Sequence, residues 1–259
     1  MSKLLIAVRY VGTKYCGYQV QPNGPTIQAA LNTAAAALFG FPCDIVGCSR
    51  TDSGVHAECF CATVARQGSD NLVTSVPLDN IPRALCRHLP PDIAVWTARW
   101  VPADFHARYD VREKEYAYRI WNRRERDPFL EGRAWHYPCP IGGRQLAAMQ
   151  DAAARYVGRH DFAAFMAQGS SVTTTVRTVT DASVEREGDT IIFRVAADGF
   201  LYHMVRIMTG TLTAVAEGKL IPADIDDILT SRDRARAGIT APACGLYLTR
   251  VVYSPEFCI

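Results

Sequence analysis

The sequence predicts an α+β fold built on a mostly antiparallel sheet, for three reasons. Strand-like and helix-like stretches alternate irregularly along the 259 residues and include hairpin signals, which disfavours a doubly wound parallel sheet. Neither a Gly-x-Gly-x-x-Gly turn nor a Walker loop, the phosphate-binding marks of that parallel class, occurs. Each half of the chain reads roughly as strand, helix, strands, helix, strand, a hint of duplication without a detectable repeat. With 49% hydrophobic residues the chain can bury a sizeable core, as one large domain or two small ones.

The elements follow in order. Residues 3–10 read as a strand, and residues 11–25 as a loop punctuated by Gly and Pro. Thr26 is an N-cap for an Ala-rich helix from Ile27 to Phe39, which Gly40 ends. Cys43 to Gly47 and Cys59 to Val64 are apolar strands on either side of a polar turn. A helix is expected from Ile81 to His88, with Pro82 tolerated in its first turn, and a strand from Ile93 to Trp100. A second half starts near Phe105, so the expected domains are 1–104 and 105–259. There Tyr116, Tyr118 and Ile120 share one strand face, opposite Ala117, Arg119 and Trp121. Leu146, Met149, Ala153 and Tyr156 give helical spacing from Arg144 to Val157, closed by Gly158. Val176 to Glu185 and Thr190 to Ala196 form a hairpin about Glu187-Gly188-Asp189. Helices over Phe200–Glu217 and Pro222–Leu229 follow, the second with Asp224, Asp226 and Asp227 near its positive end. Leu246 to Val252 is the last strand.

Composition excludes several classes. No apolar run approaches the roughly 18 residues of a membrane span. The N-terminus reads straight into a strand without a signal-peptide core, so a cytoplasmic protein is expected. Nine cysteines at irregular spacings, with no C-x-x-C, favour buried reduced thiols over disulfides or structural zinc. The one close pair, Cys59 and Cys61, is expected on opposite faces of its strand. Net charge is only +2, yet 24 of the 28 basic residues are arginine, the better residue for bidentate phosphate contacts and for stacking on bases. From Arg108 to Arg133 basic side chains interleave with Tyr109, Tyr116, Tyr118 and Trp121, which suits an RNA surface. The same stretch holds Asp110, Glu113 and Glu115, so a solvated, salt-bridged strand pair explains it as well.

The run Ser49-Arg50-Thr51-Asp52-Ser53-Gly54-Val55-His56-Ala57 carries the most chemistry. A charged, hydroxyl-rich turn between apolar strands is where a rigid scaffold presents reactive groups. Arg50 can pair with Asp52 or with a ligand phosphate, and an Arg within about 4–6 Å lowers a carboxylate's pKa by roughly 1–3 units. On composition alone, an ordinary surface turn is the simpler reading. The second cluster is Phe200 to Gly210, where His203, Arg206 and Gly210 fall on one helix face and Met204, Ile207 and Met208 cover another. Arg206 then either looks into a cleft or snorkels from a core helix.

These segments together resemble the TruA family of tRNA pseudouridine synthases. The matching runs are Ser49 to Asp52, Gly54 to Ala57, Asp104 to Arg108, Lys114 to Tyr118, His203 to Arg206 with Gly210, and Gly245 to Leu248. Tyr15 to Gln19 and His160 to Phe162 are also similar, and the runs keep family order over essentially the whole chain. Ser49 and Ser53 depart from the small residues usual there without removing a reactive group. The resemblance implies two ferredoxin-like (RRM-like) halves joined into one sheet with helices on one face, an active-site cleft between them, and a homodimer. It implies isomerisation of uridine to pseudouridine in the anticodon stem-loop of tRNA, with no cofactor and no metal. It further implies Asp52 as the essential carboxylate, Arg206 as its partner, Tyr116 stacking on the uracil, and Arg50 holding the flipped nucleotide. Arg108 would contact the substrate and His203 a phosphate, unless His203 is a buried structural histidine, while Phe200 and Leu248 would wall the pocket unless they are plain core. Asp52 would attack the ribose or the base, or take the C2′ proton.

Two rivals remain on sequence grounds. His56-Ala57-Glu58 matches the His-x-Glu of zinc-dependent base deaminases, but no Pro-Cys-x-x-Cys follows to complete the metal site. A non-catalytic RNA-binding module would not need Asp52, Tyr116 and Arg206 together.

Overall fold

The computed structural model describes residues 2–169 and 172–257 and divides into two compact units, Met1–Arg112 with Leu248–Ile259, and Glu113–Tyr247. Cys258 lies outside the described residues.

The first unit begins with β1 (Ser2–Tyr10), α1 (Ile27–Phe39), β2 (Cys43–Gly47) and β3 (His56–Arg66), and continues through α2 (Ile81–Cys86) and β4 (Ile93–Pro102). Its strands lie in the order β4-β1-β3-β2, all antiparallel, which is the ferredoxin-like arrangement of a β-α-β-β-α-β chain. β1 has a strand on each side and is buried on both faces, so Leu4, Leu5, Ile6, Ala7 and Val8 form an unbroken apolar run instead of alternating. The Thr26 hydroxyl accepts from Ala29 N at 3.3 Å and starts α1 as expected. Gly40 ends the helix in the left-handed region at φ 80°, its N–H on Ala36 O. Helix α1 lays Ile27, Leu31, Ala34 and Ala35 into the core, and α2 packs on β4.

The second unit holds β5 (Glu113–Trp121), β6 (Trp135–His136), α3 (Gly143–Ala154), β7 (Gly158–Asp161), β8 (Val176–Glu187), β9 (Thr190–Ala197), α4 (Met204–Ala216) and α5 (Asp224–Ser231). Its order β5-β9-β8 repeats β1-β3-β2, with β7 added beyond β8 and β6 pairing in parallel with β5. The last strand, β10 (Leu246–Val252), pairs with β3. The expected α+β, mostly antiparallel class therefore holds. Helix α4 is buried almost all round, and its Thr209, Thr211 and Thr213 hydroxyls satisfy themselves on backbone carbonyls of their own helix.

Some expectations change. Strands β6 and β7 were not foreseen. Gly158, expected to close a helix, opens β7 opposite Val179, and α3 stops at Ala154. Helix α4 begins at Met204, not Phe200, and α2 ends at Cys86. Cys59 and Cys61 share one face of β3, because residues two apart on a strand do. The neighbouring Cys61 thiol pulls the Cys59 thiol below its ordinary value. All eight described cysteines are unbridged, but only Cys43, Cys48 and Cys61 are buried and Cys139 is exposed. Among the described residues no helix is long and apolar enough to cross a membrane.

Candidate active site

The polar run becomes the connection from β2 to β3. Asp52 O accepts from Val55 N at 3.2 Å, and Gly54 takes φ 79° at the third position, as a type II turn requires. Asp52 is half-buried at the start of this turn, with Thr51 buried before it and Val55 and His56 buried after it.

The turn is clamped by the loop that follows β1. Thr51 Oγ1 and the Tyr10 hydroxyl are 2.8 Å apart in the core. Tyr18 N donates to Thr51 O at 3.0 Å, and the Ser53 hydroxyl to Tyr15 O at 3.1 Å. Gly12 N donates to Nδ1 of the fully buried His56 at 3.0 Å. Here the glycines matter because backbone meets backbone. A Cβ on Gly12 would sit 1.9 Å from Val55 O, and one on Gly17, at φ +85°, 2.6 Å from Thr51 O. The Tyr15 hydroxyl, donating to Asp92 Oδ1 at 2.6 Å, ties the clamp to the segment before β4, and burial with that carboxylate pushes the phenol up. The carboxylate of Asp52 thus stands on backbone fixed from several sides.

Beside the turn lies an open cleft of 250 Å³ lined by Tyr18, Ser49, Arg50, His106, Arg108 and Tyr109 among others. The structure brings Arg50 and Arg108, far apart in sequence, to this one cleft, both exposed.

In the second unit Tyr116 is buried on β5 opposite Val195, and its ring meets Phe200 edge-on at 4.9 Å between centroids. Arg206 is half-buried on α4 and donates from Nε to Ala241 O at 2.8 Å, while Ala241 N returns a bond to Arg206 O at 3.1 Å. Gly210 allows that approach, since a Cβ there would stand 1.9 Å from Ile239 O. His203 does not share a helix face with Arg206 and Gly210. It caps α4 in the left-handed region at φ 62°, a costly conformation for a residue with a side chain, and stacks on Tyr202 at 3.9 Å. The apolar run Phe200 to Tyr202 reads as helix by periodicity, but this kink excludes it. Leu248 is fully buried in β10. Sequence reading passed over the support from Gly12, Tyr10 and the Tyr15–Asp92 bond. Its one visible trace was the pair of glycines in the loop after β1.

Among the described residues no group of three or more His, Cys, Asp or Glu side chains is placed to hold a metal. A family model described as tRNA pseudouridine synthase matches residues 6–110 and 152–254. The tRNA pseudouridine synthase A of Moorella thermoacetica is 44% identical over 255 residues, 98% of this chain and 100% of that one. The proteins of the same name from Acetivibrio thermocellus, 43% identical over 255 residues, and Thermoanaerobacter sp. (strain X514), 42% over 253, cover the same shares.

The chain belongs to the tRNA pseudouridine synthase family.

It is accordingly an isomerase, and the deaminase and binding-module alternatives are not favoured. The family match takes in Arg50, Asp52, Arg108, Phe200, His203, Arg206 and Leu248, while Tyr116 falls between its two stretches.

Proposed function

We propose that the enzyme converts uridine to pseudouridine in the anticodon stem-loop of tRNA, with Asp52 as the essential carboxylate. The N1–C1′ bond breaks, the uracil turns, C5 bonds to C1′, the C5 proton leaves and N1 takes up a proton, so atoms balance with no other reactant. The target base must leave its stack to be reached, so the nucleotide is extruded. Asp52 attacks the ribose or the base, or removes the C2′ proton. Arg206 supplies positive charge to offset that of the carboxylate. Tyr116 offers the uracil a flat face, with Phe200 beside it. Arg50, Arg108 and His203 serve the RNA backbone, and Leu248 supports the pocket from the core. The enzyme works in the cytoplasm as a homodimer, without metal or cofactor.

The observation that carries this reading is the match across 98% of the chain to named synthases, with Asp52 displayed on a turn that the rest of its unit holds rigid. The test is release of tritium from tRNA transcripts labelled at uridine C5. Wild type should release it, and Asp52→Asn should bind tRNA without releasing it. Release by Asp52→Asn at the wild-type rate would refute the assignment of Asp52.

A further inference from the structure

The segment Phe105 to Asp110 alternates anchors and free side chains. Phe105 is buried against Tyr253 and Phe257, at 5.2 and 4.9 Å between centroids. Ala107 is fully buried, and its carbonyl accepts the Tyr253 hydroxyl at 2.6 Å. Between and after these anchors His106, Arg108 and Tyr109 turn to the cleft. Tyr109 is 74% exposed, and its ring lies 4.2 Å from that of His106 with the planes 33° apart.

The pair is set before any ligand arrives. His106 N donates to Asp110 Oδ2 at 2.8 Å, and Asp110 N to His106 O at 3.1 Å. His106 Nδ1 accepts from Arg108 N at 3.1 Å and Tyr109 N at 3.3 Å, which fixes the ring's orientation. An exposed tyrosine alone would call for no explanation. Here the same cleft also holds Arg50 and Arg108, neither with an acidic partner within 4.0 Å among the described residues. Tyr18 lines it too, with a buried hydroxyl that has no hydrogen-bond partner.

We propose that His106 and Tyr109 form a stacking platform for an unpaired base of the RNA that flanks the target uridine, with Arg108 and Arg50 on its phosphates. This rests on the RNA reading above and adds a second nucleotide site to it. A stacked aromatic pair beside arginines is how single-stranded RNA is held without a base code. Because the platform is ordered in advance, little entropy is lost on binding. Arg50 stands two residues from Asp52, at most about 7 Å of extended chain, so the platform serves a nucleotide near the one that reacts.

The probe is an anticodon stem-loop RNA carrying 2-aminopurine next to the target uridine, whose fluorescence is quenched on stacking. Wild type should quench it. Tyr109→Ala should lose the quench and weaken binding roughly 5- to 150-fold, the worth of one stacked base. The loss should fall on KM with kcat within about twofold, and Tyr109→Phe should restore both. Arg108→Ala should lower the slope of log affinity against log salt by about 0.7–0.9. Unchanged quench and affinity in Tyr109→Ala, with wild-type turnover intact, would overturn the platform alone. A wild type that quenches through Tyr109 but forms no pseudouridine would instead break the isomerase reading and keep the platform.

Discussion

The two units run the same series of strand, helix and hairpin, yet the strand pairs β2–β3 and β8–β9 are joined in opposite ways. Between β8 and β9 the chain turns on Gly188 and Asp189 alone, with Glu187 paired to Thr190 and Gly188 at φ 59°, as a type II′ turn requires. Between β2 and β3 it runs through residues 48–55, and a separate loop after β1 is spent on holding that stretch in place. Both turns carry an aspartate. Asp189 faces solvent and pairs with exposed Arg123 at 3.3 Å, whereas Asp52 is half-buried on braced backbone. A tight turn satisfies itself and presents little. A longer connection can present reactive groups only if other parts of the fold fix it.

The largest effect that separates the two is catalytic. Asp52→Asn should cut pseudouridine formation by at least about 10²–10⁴-fold, measured as tritium release, with the fold intact by circular dichroism. Next comes the brace. Gly12→Ala puts a Cβ 1.9 Å from Val55 O, and should cost about 1–3 kcal/mol in denaturant melts and slow turnover well over tenfold. Equal turnover in Gly12→Ala and wild type would mean that the clamp does not matter to Asp52. Gly188→Ala meets no atom within 4 Å but keeps a left-handed φ, so it should cost about 1–2 kcal/mol and leave turnover unchanged. Smallest is Asp189→Asn, which loses an exposed ion pair and should shift stability by no more than about 0.5 kcal/mol. If Asp189→Asn slowed the reaction as Asp52→Asn does, the contrast between the two turns would fail.

Much of this was legible in advance where the signal is local. Thr26, the alanine run and Gly40 specify α1 residue for residue, because a cap, a propensity and a left-handed stop lie in one stretch. The β8–β9 turn was legible in Gly188 for the same reason. The two residues of β6 and the four of β7 have no periodicity to read. The start of α4 was misplaced because apolar Phe200 and Leu201 mimic helical spacing, while the left-handed backbone of His203 leaves no mark in the periodicity. Tyr109 was legible only as one of several aromatics among basic residues, since its contact with His106 depends on a loop shape that composition does not show.

By itself the sequence determined the α+β class, the helix caps, the hairpin and the run of charged and hydroxyl groups around Asp52. Each of these is encoded over a few residues, by periodicity or by one residue's conformational freedom. Only the tertiary structure decided what holds Asp52 and what stands beside it. The Tyr10–Thr51 bond spans 41 positions and the Gly12–His56 bond 44, and Arg108 reaches the cleft of Arg50 from the far end of its unit. Contacts so distant in sequence form only once the sheet has packed. Local pattern therefore names the candidate groups, and packing fixes their position.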